Sequence, residues 1–275
     1  DPSPPMVEVI TQFPGWSAEE IERAIARLRF AGVEGVNFDI MYGLPGQTRE
    51  HVVQTAMFAA TQDVDRVAVF GYAHVPWMKK HQKGISEHEL PSSEERFRQA
   101  EAAAATLERA GYLPIGFDHF AAPGDSLSAA ERLGRLKRNF QGYTDDSAIA
   151  LVGLGASAIS SLPNLIYQNT PDTGAYRAAQ AAGGSAVTRG IVLTAEDLRI
   201  GRLIERVLCE FEAELPGDLR IAACSKLTRL EHAGLIEMNR NHLTVTARGR
   251  PYVRNVAACF DPEFAPKADR HSLAV

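Results

Sequence analysis

Asn37-Phe-Asp-Ile-Met-Tyr-Gly-Leu-Pro-Gly-Gln-Thr48 reads as a strand running into a tight loop, and it sets the rhythm of the chain around it. The β-rich run starts at Val33, is interrupted only by Glu34 and Gly35, and continues to Met41. Upstream, Ser17-Ala-Glu-Glu20 forms a capping-box pattern. Ile21, Ala24, Ile25 and Leu28 then recur at helical spacing, with Gly32 as the stop. Downstream, a helix is expected over 49–62 and a second, almost continuously apolar strand over Arg66 to Val75. After a loop over 76–91, Pro91-Ser-Ser-Glu-Glu95 opens an alanine-rich helix ending at Gly111, and Leu113 to Phe120 reads as a third strand. Strand–helix–strand at this spacing predicts an α/β fold with right-handed crossovers and a parallel sheet, open or barrel-like.

Beyond Phe120 the rhythm breaks. Residues 121–147 read as loop-rich, Ala148 to Leu162 as a glycine-rich strand-like run, 172–182 as a helix and 187–193 as a short strand. Thr194-Ala-Glu-Asp197 caps a long helix. A helix over 219–233, a turn at Asn239-Arg-Asn241, the alternating strand Leu243-Thr-Val-Thr-Ala and a last helix after Thr246-Ala-Arg-Gly249 suggest a winged-helix-like unit. The expected division is 1–120 for the α/β part, 121–193 for a site-building segment and 194–275 for the helical and winged part.

The 275 residues suffice for a substantial core, and composition is that of an ordinary globular chain. A net charge of -5 argues against a general nucleic-acid binder. No apolar run reaches the roughly 20 residues of a membrane span, and the start lacks the pattern of a secretory signal. Cys209, Cys224 and Cys259 lie too far apart for a compact ligand set and read as reduced thiols, so a cytoplasmic location is expected.

Asp39 is a carboxylate in an apolar strand, so it needs a partner or a ligand, and strand ends of parallel α/β folds face the ligand crevice. Val69-Phe-Gly-Tyr-Ala-His-Val-Pro76 is the next strand end; Gly71 and Ala73 permit close approach, and His74 is an acid, base or ligand candidate. His119 beside Asp118 makes another polar strand end. Arg135-Leu-Lys-Arg-Asn-Phe-Gln-Gly-Tyr143 mixes cations, amides and rings, which suits a flat anionic ligand; a solvated helix end is the structural alternative. Gly153-Leu-Gly-Ala-Ser-Ala-Ile-Ser160 lacks the third glycine of a dinucleotide fingerprint, so its small residues are read as backbone lying against a ligand or a strand.

Taken in order, the strand end at 37–48, Phe70-Gly-Tyr-Ala-His-Val-Pro76, Gly116-Phe-Asp-His-Phe-Ala121, Arg138-Asn-Phe-Gln-Gly-Tyr-Thr144, Gly153 to Ser160 and Val245-Thr-Ala-Arg-Gly-Arg250 resemble the oxygen-independent coproporphyrinogen III oxidases, from about residue 17 onward. The Asn-Phe-Gln-Gly-Tyr-Thr element is the most particular. The resemblance implies a partial radical-SAM (β/α) barrel followed by a mostly helical C-terminal domain. It implies oxidative decarboxylation of two propionates of coproporphyrinogen III to vinyls, giving protoporphyrinogen IX in haem biosynthesis. A 4Fe-4S cluster, S-adenosylmethionine and a reducing electron donor would serve the reaction, with the full-length enzyme a monomer. Carried over by position, Asp39 and Ala73 match contacts to a second S-adenosylmethionine, Ile159 matches a contact to the cluster-bound one, and Gln141 with Phe140 matches positions near the reacting site. Arg138, Lys137 and Arg189 are propionate candidates on charge alone.

The departures are specific. The family's Cys-x3-Cys-x2-Cys motif has no counterpart here, nor do the Tyr before it, the glycine-rich strand after it or a SAM-binding Glu; an Arg expected shortly before Ser17 is absent, and Gln12-Phe-Pro-Gly15 has diverged. The early barrel strands are therefore expected to be missing, leaving an unpaired sheet edge. This leaves an oxidase piece inactive by itself, a non-catalytic porphyrin or haem binder, and, from another class, a DNA-binding regulator using the winged unit.

Overall fold

The computed structural model describes residues 6–10, 17–77, 79–262 and 264. Its backbone falls into two compact units, one running to Arg135 and taking in Ala247–Val253, the other holding Leu136–Thr246 and Arg254–Asp261.

In the first unit the order is β1 (Met6–Ile10), α1 (Ala18–Phe30), β2 (Gly35–Tyr42), α2 (Arg49–Thr61), β3 (Arg66–Gly71), α3 (Ser93–Arg109), β4 (Leu113–Ile115), β5 (His119–Ala121) and α4 (Ser126–Arg132). The sheet order is β1-β2-β3-β5-β4; β1, β2 and β3 run parallel, while β5 is antiparallel to both β3 and β4. The expected third strand is thus two short strands, because Gly116 takes a left-handed φ of 60° and turns the chain back on itself. Mixed α/β architecture holds; an all-parallel sheet does not. Val36, Phe38, Ile40 and Tyr42 of β2 alternate onto one face with Val67, Val69 and Phe120, and there they pack with Ile25, Val52, Ala56, Ala103 and Leu107 of the helices. The capping box at Ser17 and Glu20 forms as the sequence predicts, and a second one at Thr48 and His51 starts α2 directly after the loop of β2.

The second unit contains β6 (Lys137–Arg138), β7 (Tyr143–Thr144), β8 (Ile159–Leu162), β9 (Leu165–Asn169), α5 (Thr173–Ala181), β10 (Val187–Val192), α6 (Ala195–Glu210), β11 (Glu212–Glu214), α7 (Gly217–His232), β12 (Ile236–Asn239) and β13 (His242–Val245). β6 and β7 form a hairpin, β10-β9-β8 an antiparallel sheet, and β11-β13-β12 a second one. Only the last four residues of the strand-like run 148–162 make β8, and Leu151 bridges to Ser161. Thr194 and Asp197 form the anticipated capping box. α7 followed by the β12–β13 pair supplies the helix and two strands expected after residue 218, with β11 as a third strand.

Candidate functional site

Since even-numbered residues of β2 enter the helix-side core, Asn37, Asp39 and Met41 face the other way. Asp39 pairs in register with Ala68, and Ala68 with His119, so a carboxylate, a methyl and an imidazole lie in one row across β2, β3 and β5. Asn37 Nδ2 donates to Asp39 Oδ1 at 3.0 Å, and His119 Nδ1 lies 2.7 Å from Asp118 Oδ1. These polar residues, separated by a small one, occupy the face opposite the helix-side core.

The loops after β2 and β3 are held by buried polar side chains. Gln99, fully buried on α3, accepts from Gly43 N at 2.9 Å and donates to Gln47 O at 2.8 Å. One turn earlier, Arg96 is 7% exposed and donates through Nη2 to Tyr72 O at 2.9 Å. Gly71 and Gly43 make room for it: a Cβ at Gly71 would stand 2.7 Å from Arg96 Nη2, and one at Gly43 3.1 Å from Nε. Burial pulls the guanidinium's pKa down and Tyr42 opposes it; arginine nonetheless stays charged, and among the described residues no carboxylate pairs with Arg96. Gln82 closes the second loop, accepting from Val75 N at 2.6 Å and donating to Ala73 O at 3.1 Å. Ala73, itself exposed, therefore sits on a peptide pinned on both sides.

Within the second unit the site candidates fall into two groups. Lys137 and Arg138 occupy β6, and Phe140 and Gln141 the tip of its hairpin, where both are exposed. Asn139 Oδ1 accepts from Gln141 N at 2.8 Å and Gly142 N at 3.1 Å, which shapes the tip. The Arg138 guanidinium lies 4.6 Å over the Tyr143 ring, while Lys137 reaches Glu205 only at 3.9 Å. The second group is on the β8–β10 sheet: Ile159 and Arg189 both pair with Gln168, whose Oε1 accepts from Arg189 Nε at 2.7 Å. The small residues before Ile159 do meet backbone, since a Cβ on Gly153 would stand 2.5 Å from Ile159 O. Asp39 and Ala73 belong to the first unit and the other six candidates to the second.

The chain's own thiols do not fit an iron–sulfur cluster. Cys209 is buried in α6 with its thiol pushed up to about 12 by burial, the wrong direction for a thiolate ligand. Burial also raises the Cys259 thiol, and Cys224 is exposed on α7. Among the described residues no group of three His, Cys, Asp or Glu side chains could hold a metal ion, and no helix is long and apolar enough to cross a membrane. Sequence reasoning did not single out Gln82, Arg96, Gln99 or Tyr72. Their signal was available for α3: Arg96 and Gln99 stand on the same helical stripe as Ala103 and Leu107, where a polar side chain must be buried.

No family model matches the chain. It is 41% identical over 269 residues to an oxygen-independent coproporphyrinogen III oxidase of Bradyrhizobium diazoefficiens, covering 94% of this chain and 60% of that protein. The enzyme of that description from Escherichia coli K12 is 36% identical over 250 residues, covering 87% and 55%. The solved structure described as coproporphyrinogen III oxidase (HemN) from Escherichia coli, a radical SAM enzyme, superposes with a TM-score of 0.86 at 33% identity, covering 94% of this chain and 64% of that one. The chain thus spans about three-fifths of the length of the curated relatives it matches.

Proposed function

We propose, from the premise that this chain belongs to the oxygen-independent coproporphyrinogen III oxidase family, that it carries the ligand-contacting part of such an enzyme. The reaction is oxidative decarboxylation of two propionates of coproporphyrinogen III to vinyls. In this reading the first unit is part of a radical-SAM α/β barrel, and α7 with its three-stranded sheet is the winged-helix-like unit. The observation that carries the reading is the pinned strand-end region. Three buried polar side chains fix the backbone around Gly43 and Ala73, near the strand that carries Asp39 on the face opposite the helix-side core. Burying polar groups is costly unless they are hydrogen-bonded, and here the bonds go to the backbone at strand ends, the place where parallel α/β folds receive ligands.

Asp39 and Ala73 would hold S-adenosylmethionine, Asp39 as an acceptor and Ala73 through a backbone fixed in place. The cluster-bound molecule of that cofactor would, once reduced, supply the hydrogen-abstracting radical. Ile159 offers an apolar contact for the other molecule of the same cofactor. Gln141 and Phe140, exposed on a hairpin tip shaped by Asn139, would stand near the reacting side chain. Arg138, Lys137 and Arg189 meet propionate carboxylates; the 3.9 Å contact of Lys137 with Glu205 is loose enough to exchange for a ligand's. The cluster and the electron donor serve from outside this set of residues, so the chain alone is inactive. The whole enzyme acts as a monomer in the cytoplasm.

Calorimetric titration of the chain with S-adenosylmethionine tests the reading. Binding is expected, weakened about tenfold by Asp39→Ala, the scale of one charge-assisted contact; no binding, or an indifferent Asp39→Ala, would refute it. Anaerobic treatment with iron and sulfide should leave no cluster absorption. The poor fit of the thiols to a cluster also favours a second reading, a non-catalytic tetrapyrrole binder. A chain that binds coproporphyrin but not S-adenosylmethionine would decide for it.

A further inference from the structure

Two buried polar atoms flank Ala73, and among the described residues neither has a hydrogen-bond partner: the Tyr72 hydroxyl and His74 Nδ1. Gly71 faces the helix side, since a Cβ there would meet Arg96 and Tyr42, so Tyr72 points to the opposite face of the sheet. His74 lies beside it, with the two rings tilted at 44° and their centroids 6.1 Å apart. Tyr72 is only 8% exposed, and its burial raises the phenol's pKa, so the hydroxyl stays protonated and able to donate. The far nitrogen of His74, Nε2, faces the Glu87 carboxylate at 3.8 Å, and in the tautomer protonated there Nδ1 is an acceptor. Buried donors and acceptors without partners are uncommon in folded proteins and lower stability unless something else satisfies them. The backbone that presents this pair is also the one that Arg96 and Gln82 pin.

We infer that Tyr72 and His74 are ligand-contacting residues, a donor and an acceptor arranged for one group that can do both, such as the ribose hydroxyls of a nucleoside. The inference rests on the reading of Ala73 as a ligand contact and adds side-chain recognition to it. It also predicts opposite effects on stability and binding. Tyr72→Phe removes one oxygen, conserves shape and abolishes an unpartnered group, so the ligand-free variant should melt at a higher temperature than the unaltered chain. The same variant should bind S-adenosylmethionine about tenfold more weakly by calorimetry, and His74→Leu should weaken binding as well.

Three results would overturn this. One is a Tyr72→Phe variant with unchanged affinity. Another is one that melts lower than the unaltered chain, which would mean the hydroxyl has a partner within the protein. The third, no binding of S-adenosylmethionine by the unaltered chain, would remove the reading of Ala73 and this inference with it. The first two leave the Ala73 reading standing, so the failures are distinguishable.

Discussion

Gly71→Ala is a demanding test of how the strand ends are built. The new Cβ would stand 2.7 Å from Arg96 Nη2, closer than real Cβ contacts come, and 3.2 Å from the Tyr42 ring and hydroxyl, a tight but attainable contact. Backbone strain does not enter, because Gly71 is an ordinary strand residue pairing with Tyr42. The guanidinium must give way, and moving it breaks its bond to Tyr72 O, a charge-assisted bond to a buried carbonyl. That loss is worth about 1.5–3 kcal/mol, and the adjustment of Tyr42 brings the total to about 2–4 kcal/mol. Urea unfolding followed by tryptophan fluorescence isolates the effect, because Trp16 and Trp77 both precede the second unit in sequence. The same substitution in an Arg96→Ala background should cost less than about 1 kcal/mol, for the new methyl then meets an emptied space. A coupling of about 1–3 kcal/mol is the signature of direct contact. Equal costs in the two backgrounds would refute the account, leaving Tyr42 or the strand itself as the obstacle.

Two further outcomes follow from ionisation. The Tyr112 hydroxyl donates to Val64 O at 2.6 Å, and burial, with Asp63 and Asp65 nearby, pushes its pKa up to about 12. The folded value lies above that of the unfolded chain, so the stabilisation is complete below about pH 10 and drains away as pH rises toward 12. Urea midpoints should fall through that window and fall less in Tyr112→Phe; parallel curves would contradict it. Among the thiols, Cys224 should take up iodoacetamide at pH 8 at least a hundredfold faster than Cys209, whose raised pKa leaves a thiolate fraction of roughly one in ten thousand. Peptide mapping of the modified protein reads the order, and early labelling of Cys209 would show that its burial has been misjudged.

Local signals were legible where the chemistry is local. Ser17 with Glu20 and Thr194 with Asp197 begin helices because their reciprocal hydrogen bonds need only four consecutive residues. The strand over 37–42 and its loop were equally readable, and so was the need of Asp39 for polar company, met in part by Asn37. What failed depended on tertiary pairing. Leu113 to Phe120 is apolar enough to pass for one strand, and only the left-handed Gly116 reveals a hairpin. Likewise, β9 went unread because Leu165-Ile-Tyr-Gln-Asn169 becomes a strand by lying between β8 and β10, not by its own alternation.

The same distinction explains why the strand-end clamp is easily missed. Arg96 and Gln99 sit in an alanine-rich helix where charged and amide residues read as solvent-facing, yet their spacing puts them on the buried stripe. Such an arrangement is informative because it runs against the ordinary logic of a core. A leucine at either position would bury apolar area at no polar cost, but would leave Gly43 N, Gln47 O or Tyr72 O without these partners. The polar residues are therefore explained by the backbone they hold, and that backbone belongs to the segments that carry Asp39, Tyr72, Ala73 and His74. Stability and positioning then make opposing demands at this end of the sheet. Substitutions that improve packing beneath the loops should loosen what they present, and the residues most worth changing are those whose loss the fold would tolerate best.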